Sequence, residues 1–276
     1  IIVEKDYYVT MILRELSERQ GFVVFKGGTS LSKCHKAIKR FSEDIDITID
    51  SRLSQGQMKK LKEVIKDIAA ELGLTIPNIE ETRSRRSYNR YILEYQSALS
   101  EPDDAVQSAV LMETSFAEVS FPTVILQVHS YIGDMMTKEA PDELENFHLE
   151  PFKMKVQGVD RTLVDKVFAI CDYYMQDRVK KHSRHIYDIY KLLQIVPQTA
   201  EFRALIQEVR SVRAMTNICP SAQPEVNVPE MLNFLIDNEI YKDDYEKITA
   251  RILEEDVNYE TAIEAVKKIA ASGMFE

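Results

Sequence analysis

Hydrophobic positions recur with two different spacings along the chain, and the spacing changes near its middle. The first half contains both helical repeats and strict alternation, whereas the helical repeat alone continues beyond about residue 156. A repeat of three to four residues predicts an amphipathic helix, and alternation predicts a strand with one buried face. The pattern therefore predicts an α+β domain over residues 1–155 and a helical domain over residues 156–276.

The first domain is predicted to mix helices and strands. Its helices are expected at residues 4–19, 29–39 and 54–72. Its strands are expected at residues 22–25, 41–49, 88–95, 109–119 and 124–131. Because the later strands alternate in polarity, we expect one mixed or antiparallel sheet.

The second domain is predicted to consist of helices around one linker-like stretch. That stretch covers residues 220–229, which contain several prolines. The helices are expected at residues 160–176, 183–195, 200–215, 229–237, 244–253 and 259–271.

Charge is distributed unevenly over the 276 residues. The chain has 35 basic and 45 acidic residues, a net charge of −10. Residues 225–276 hold 13 acidic and 5 basic residues, a net charge of −8, so the remainder carries −2. An acidic chain argues against a nonspecific nucleic-acid coat, whose affinity comes from many cationic contacts. The nearly neutral remainder nevertheless permits a polyanionic partner.

Composition also indicates the compartment. We find no signal peptide and no apolar run near the roughly 18 residues that a membrane-spanning helix needs. The three cysteines lie far apart and have no metal-ligand spacing. We therefore expect a cytoplasmic protein with reduced thiols and no membrane partner. The chain begins at Ile1 within a helical pattern, so we expect its natural N-terminus to lie upstream.

A Gly-Gly turn follows the first predicted strand and opens a helix. It lies within the sequence Phe25-Lys26-Gly27-Gly28-Thr29-Ser30. Backbone N–H groups in such a turn suit a phosphate group, and glycine lets the backbone approach the ligand closely. A plain turn without a ligand is the alternative interpretation.

Two aspartates lie on one face of the next predicted strand. Asp44 and Asp46 are two residues apart, with the isoleucines of the strand on the other face. Adjacent carboxylates repel each other unless a cation lies between them, and hard oxygen ligands favour Mg²⁺. A solvated strand face explains the aspartates alone equally well. The order strand, Gly-Gly, helix, strand favours the metal site.

These segments resemble a known enzyme family. Residues 26–31 together with residues 40–46 are similar to the opening motif of the AbiEii/AbiGii toxin family of nucleotidyltransferases, within the polymerase-beta-like superfamily. Residues 163–169 resemble the family's helix with an inward lysine, and residues 184–190 resemble its RDxYDLY segment. Residues 4–8 also resemble the corresponding segment of the family. The chain departs from the pattern at His185, where the family usually has Asp, and in the long loop before Asp44.

The resemblance implies a fold and an activity. The fold would be α+β, a polymerase-beta-like nucleotidyltransferase sheet domain followed by a helical C-terminal domain. The activity would be Mg²⁺-dependent transfer of a nucleotide from an NTP to an acceptor, which is tRNA for some members. The setting would be a bacterial toxin–antitoxin system for abortive infection, with a separate antitoxin.

The resemblance also implies roles for particular residues. Catalytic roles fall on Asp44, Asp46, Lys166 and Asp188, the last two supplied by the helical domain. Asp44 and Asp46 would hold Mg²⁺, and Lys166 would neutralise phosphate charge. The nucleotide would be bound by Gly27, Gly28, Thr29, Ser30 and Ser42. Without the resemblance, Lys166 could be an exposed helix lysine and Asp188 could pair with Arg184 one turn away.

Glu113 is the candidate for a third metal-binding carboxylate. The superfamily often carries such a group on a later strand, and Glu113 lies among apolar residues. An acid on a central strand is costly unless it is paired or metal-bound. Glu118 competes for this role, and an exposed glutamate on a strand edge is the alternative.

Basic residues form two runs that suit a polyanionic acceptor. Arginines interleaved with tyrosines are typical of contacts to phosphates and unstacked bases. Solvated surface is the alternative for each residue. If residues 83–90 form a strand, Arg86 and Arg90 share one face. The candidate acceptor-binding residues are Arg83, Arg85, Arg86, Arg90 and Arg184.

Two other functions are consistent with the sequence. One is a small-molecule nucleotidyltransferase acting on an aminoglycoside-like acceptor, although basic runs disfavour a cationic drug. The other is a nucleotide-binding or protein-binding module without catalysis, which the presence of all four candidate catalytic residues disfavours.

Overall fold

The computed structural model describes residues 2–99 and 108–276 and divides the chain into two compact units. The first unit comprises residues 1–35 and 42–157, and the second comprises residues 36–41 and 158–276. Residues 36–41 therefore belong with the helical unit, which the hydrophobic pattern does not indicate.

The first unit is built on a six-stranded mixed sheet. The strands are β1 (Val23–Lys26), β2 (Ile45–Ile49), β3 (Tyr88–Glu94), β4 (Ala109–Val119), β5 (Thr123–Val128) and β6 (Phe152–Gln157). Their order in the sheet is β3-β4-β2-β1-β6-β5. The pairs β2/β4 and β1/β6 are parallel, and the other three neighbouring pairs are antiparallel. The predicted α+β class is confirmed.

In the described part of this unit, four α-helices accompany the sheet. They are α1 (Ile2–Arg19), α2 (Gly27–Lys33), α3 (Gln55–Glu71) and α4 (Tyr131–Glu139). Ser54 begins α3 with a capping box, since its hydroxyl accepts from the Gln57 backbone and the Gln57 side chain accepts from the Ser54 backbone. The apolar faces of α1 and α3 form one core with the sheet, which includes Ile45 and Ile47 of β2.

Several predicted boundaries in this unit were wrong. The helix expected over residues 29–39 is α2, which ends at Lys33 because Lys36 has a left-handed backbone (φ 53°) and the chain turns away. The strand expected from residue 41 begins at Ile45. The strand expected up to Tyr131 ends at Val128, because Ser130 caps α4 instead by accepting from the Gly133 backbone. The sequence prediction also missed β6.

The second unit is helical. Helix α10 packs against α6 and α8, and α5 packs against α6. The linker-like stretch predicted at residues 220–229 connects two helices up to residue 227, and it contains a short 3-10 turn with Ser221 and Ala222 buried. The helices are α5 (Val159–Met175), α6 (Arg184–Leu193), α7 (Ala200–Ala214), α8 (Val228–Asp237), α9 (Lys242–Lys247) and α10 (Tyr259–Ala271). Within the described residues, every helix is too short or too polar to cross a membrane.

Candidate active site

The Asp46 carboxylate lies against the backbone of Gly27. Strands β1 and β2 are antiparallel, and Lys26 is the register partner of Asp46. A side-chain carbon built on Gly27 would lie 1.8 Å from Asp46 Oδ2, and Gly27 has a φ of +78°. Both the missing side chain and the left-handed backbone require glycine here. The Gly-Gly turn and the aspartate strand, which were predicted separately, therefore meet.

Hydroxyl groups complete the turn. Ser30 is fully buried, and its Oγ donates to the Gly27 carbonyl at 2.9 Å. Thr29 Oγ1 lies 2.9 Å from Ser42 Oγ, so Ser42 reaches the same turn from further along the chain. Thr29 is buried, whereas Ser42 is partly exposed. The Ser30 hydroxyl thus holds the turn itself, and Ser42 is the more accessible group.

Glu113 lies beside Asp46 on the sheet. The two residues are register partners on the parallel strands β2 and β4, and Glu113 is in turn the partner of Arg90 on β3. One row across four strands therefore reads Lys26, Asp46, Glu113, Arg90. Register partners share a face of the sheet, so this row brings two carboxylates together between two cations.

Tyr88 and Arg90 lie near Glu113, on the adjacent strand β3. Arg90 Nε lies 3.9 Å from Glu113 Oε1. Burial and the nearby glutamate raise the pKa of Tyr88, so its hydroxyl stays protonated. The sequence prediction did not assign Lys26 to the site, and it considered Tyr88 only as an aromatic residue within the arginine run. The sequence did contain a signal for both residues. Lys26 directly precedes the glycine motif, and Tyr88 lies two residues before Arg90 on an alternating strand.

Asp44 lies immediately before β2. It is partly exposed, and the buried Ile45 separates it from Asp46. Its neighbour Glu43 is held by the buried Lys5 of α1, whose Nζ lies 2.8 Å from Glu43 Oε2. Lys5, within the segment at residues 4–8 that resembles the family, thus anchors the stretch that leads into β2.

The carboxylates fit a divalent cation that is bound together with a nucleotide. Among residues 2–99 and 108–276, no three His, Cys, Asp or Glu side chains converge as a complete metal-ligand set. Mg²⁺ typically takes one or two protein carboxylates and completes its shell with phosphates and water. Asp46 at the glycine turn, with Asp44 and Glu113 as neighbours, has the donor chemistry for such a shared ion. The side chain of Glu118 lies outside the described residues.

The predicted arginine run is divided by the start of β3. Arg83, Arg85 and Arg86 precede the strand, so the predicted sharing of a face by Arg86 and Arg90 was wrong. Arg83 Nη1 donates to the Thr82 carbonyl at 3.0 Å, and Arg86 Nη1 donates to the Glu81 carbonyl at 3.2 Å. Arg90 is the member of this run that lies in the row of charged residues.

The second motif forms a buried charge cluster within the helical unit. Asp188 is 0% exposed, and Arg40 donates to both of its oxygens, at 2.7 Å from Nε and 2.9 Å from Nη2. Lys166 Nζ lies 3.1 Å from Asp188 Oδ2 and 3.0 Å from His185 Nδ1. Lys166 is therefore not an exposed helix lysine, and Asp188 pairs with Arg40.

Opposing effects set the protonation of this cluster. Burial would raise the pKa of Asp188, but Arg40 and Lys166 outweigh it and hold that pKa well below its ordinary value. Burial lowers the pKa of Lys166, and Asp188 opposes that shift. Burial and Lys166 hold the pKa of His185 well below its ordinary value, so its ring is neutral and Nδ1 accepts from the ammonium.

Aromatic rings surround the histidine. His185 stacks on Tyr173 with ring centroids 5.6 Å apart, and His182 stacks on the same tyrosine at 3.6 Å. Arg178 lies 5.6 Å from the Tyr173 ring centre. Arg184 is partly exposed next to this group, and its charge helps to lower the pKa of Lys166.

The mixed sheet and the glycine–aspartate turn match the nucleotidyltransferase class that the motifs predict, and comparisons with known proteins test this assignment. Among solved structures, MenT4, a nucleotidyltransferase toxin from Mycobacterium tuberculosis H37Rv, matches with a TM-score of 0.58. The match covers 97% of this chain and 82% of that chain at 16% sequence identity, which shows a shared fold. No curated protein matches the sequence.

A family model described as "Nucleotidyl transferase AbiEii toxin, Type IV TA system" matches residues 12–268. Since that match spans most of the chain, this protein belongs to the AbiEii family of nucleotidyltransferase toxins. The family resemblance predicted from the motifs is confirmed, and so is its class of activity.

Proposed function

We propose that this protein transfers a nucleotidyl group from an NTP to a hydroxyl of an RNA, such as tRNA, in a Mg²⁺-dependent reaction. The placement of the Asp46 carboxylate over the Gly27 backbone carries the proposal. It brings a candidate metal ligand to the turn that would receive the phosphates. Glu113 on the adjacent strand supports the same assignment.

In the proposed reaction, an acceptor hydroxyl oxygen forms a bond to the α-phosphorus of the NTP. The bond from that phosphorus to the oxygen bridging to the β-phosphate breaks, pyrophosphate leaves, and the hydroxyl loses its proton. When bound, Mg²⁺ would activate the hydroxyl and neutralise charge on the phosphates. The protein contributes mainly positioning and electrostatic stabilisation.

Particular residues have particular roles in this proposal. Gly27 and Gly28 bring the backbone close to the triphosphate. Ser42, which is hydrogen-bonded to Thr29, orients the triphosphate. Ser30 holds the turn. Asp44 and Asp46 hold Mg²⁺, with Glu113 as the third carboxylate. Lys166 neutralises phosphate charge, as the family resemblance implies.

An RNA acceptor is favoured by the groups next to Glu113. Tyr88 is 48% exposed and the Arg90 side chain is 51% exposed, on the face of the sheet that carries Asp46 and Glu113. An aromatic ring beside a guanidinium suits an unstacked base and its phosphate. The cationic residues Arg83, Arg85, Arg86 and Arg184 are further candidates for backbone contacts. A cationic drug would be repelled by the same groups.

We place this activity in the bacterial cytoplasm, where NTPs and RNA are available. Membership of a toxin family of type IV systems implies a cognate antitoxin. Abortive infection is the setting that the family resemblance implies.

Radiolabelled transfer tests the proposal. Each labelled NTP is incubated with the purified protein and either total tRNA or a set of aminoglycosides, with Mg²⁺ or with EDTA. We expect tRNA to be labelled in the presence of Mg²⁺ but not in the presence of EDTA. In the Asp46→Asn variant, the rate of labelling should fall at least about 100-fold. Label in an aminoglycoside and not in RNA would identify the small-molecule alternative and overturn the RNA acceptor.

Asp50→Asn is the matched control. Asp50 follows β2, is partly exposed and pairs with Lys155, away from Gly27. It should retain activity within about twofold, because partly exposed ion pairs contribute little. Expression in a bacterial host adds a second measurement, in which Asp44→Asn should abolish growth arrest. Equal toxicity of wild type and Asp44→Asn would contradict a catalytic mechanism.

A further inference from the structure

The segment between the two halves of the candidate site is bound to the helical unit. Residues 36–41 separate the glycine turn from the Ser42–Asp46 stretch in sequence. The Lys39 backbone N–H donates to the Tyr187 hydroxyl at 3.0 Å, and the Phe41 N–H donates to the Ile252 carbonyl at 2.9 Å. The Glu254 N–H donates to the Lys39 carbonyl at 3.0 Å. The segment is thus held by its backbone on both sides of Arg40.

Arg40 fixes the same segment through its side chain. Its guanidinium is buried and donates two hydrogen bonds to Asp188, one to each oxygen. Such a two-point arginine–carboxylate contact fixes orientation as well as distance. Neither charge is tolerable alone at this depth, because an unpaired buried charge is strongly destabilising.

Asp188 is not placed to contact a substrate. It is 0% exposed, and both of its oxygens already accept hydrogen bonds or ion pairs from Arg40 and Lys166. A group that binds a metal ion or removes a proton from a substrate needs an accessible oxygen. Asp188, the acid that the second family motif implies, therefore has to act through the residues that it pairs with.

We propose that Arg40 and Asp188 form a clamp that positions the Ser42–Asp46 stretch, so that both are positioning residues for the transfer reaction. Arg40 lies two residues before Ser42 and four before Asp44. Because one residue separates Arg40 from Ser42 and three separate it from Asp44, we expect a displacement of Arg40 to shift the hydroxyl and the carboxylate that follow. What this stretch does in catalysis rests on the proposed function.

Hydrogen exchange at the Lys39 and Phe41 amides tests the clamp without measuring activity. We expect exchange at least about tenfold faster in Arg40→Gln and in Asp188→Asn, because each leaves the segment without its central anchor. The double variant should not exceed the larger single effect by more than about twofold, since both remove one interaction. Arg40→Lys keeps the charge without the two-point geometry and should have an intermediate effect.

Two control variants separate this role from others. Lys166→Met keeps the Arg40–Asp188 contact, so exchange at residues 39 and 41 should stay within about twofold of wild type. Asp172→Asn breaks a different buried ion pair of the helical unit, with Arg213 at 3.0 Å, and should also leave these amides protected. Faster exchange in Lys166→Met, or unchanged exchange in Arg40→Gln and Asp188→Asn, would overturn the clamp.

Transfer kinetics complete the test. Arg40→Gln should lower kcat for nucleotide transfer at least about tenfold and raise KM for the NTP, whereas Asp172→Asn should not. A wild-type protein that transfers no nucleotide would refute the proposed function, while the exchange data would still decide whether the clamp exists. Intact exchange protection combined with lost activity in Asp188→Asn would indicate that Asp188 acts through Lys166 instead, which overturns the proposal.

Discussion

Asp46 occupies the space that a side chain at position 27 would need. A carbon added to Gly27 would lie 1.8 Å from Asp46 Oδ2, and the Gly27 backbone is left-handed. The glycine is therefore required by a carboxylate on the neighbouring strand as well as by its own turn. This coupling makes the glycine motif and the aspartate motif parts of a single structure.

Gly27→Ala should abolish transfer by displacing Asp46. A left-handed backbone costs a non-glycine residue about 1–2 kcal/mol, and the overlap with the carboxylate adds to this. We expect a loss of transfer rate of at least about 100-fold, since misplacing a catalytic group by an ångström has that effect. The rate is measured with labelled NTP, and the free energy of unfolding by urea titration.

Gly73→Ala is the matched control for backbone strain. Gly73 also has a left-handed φ, +69°, but an added carbon would meet no atom of the described chain within 4 Å. It should lose a similar backbone contribution to stability while transfer stays within about twofold. Equal activity losses in the two variants would show that strain, and not the displacement of Asp46, inactivates Gly27→Ala.

Individual helices and strands could be predicted from local sequence, but the contacts that assemble them into the candidate site could not. The Ser54 cap, the bounds of α10 and the alternation of β2 follow from patterns within a few residues. Strand β6 also alternates, yet its place between β1 and β5 depends on pairing across the sheet. Arg40 meets Asp188 across 148 positions, a contact that no local periodicity encodes.

Ser30 and Ser42 should respond differently to loss of the hydroxyl. Ser30→Ala removes the hydrogen bond that the buried Ser30 hydroxyl donates to the Gly27 carbonyl, so the free energy of unfolding should fall by about 1 kcal/mol. Ser42→Ala removes a partly exposed hydroxyl, so stability should change little while KM for the NTP rises. Urea titration and initial rates distinguish the two. A large KM effect from Ser30→Ala at unchanged stability would make Ser30 the phosphate contact.

Arg90→Ala should weaken acceptor binding more than NTP binding. The guanidinium is half exposed beside Glu113, where it can contact an RNA phosphate. We expect KM for RNA to rise about threefold to tenfold, and the salt dependence of binding to fall by the equivalent of about one phosphate contact. Arg85→Ala, in the loop before β3, is the comparison. A larger effect from Arg85 would assign the acceptor surface to that loop.

Lys166 should give the reaction an alkaline limit below that of an ordinary lysine. Burial lowers its pKa from the ordinary 10.5, although Asp188 opposes the shift. If the charged ammonium serves the reaction, kcat falls as pH rises through the lowered pKa. Lys166→Arg keeps its charge throughout this range, so its kcat should show no alkaline fall from this group. A pH–rate profile for both proteins measures the difference.

The same shift predicts how stability depends on pH. Between the lowered pKa and 10.5, the unfolded chain binds a proton at Lys166 that the folded protein does not. The free energy of unfolding should therefore rise with pH across that window, and Lys166→Met should remove this contribution. Urea titrations at several pH values test the sign. A wild-type stability that falls with pH by an amount that Lys166→Met abolishes would show that Asp188 outweighs burial and raises the lysine pKa.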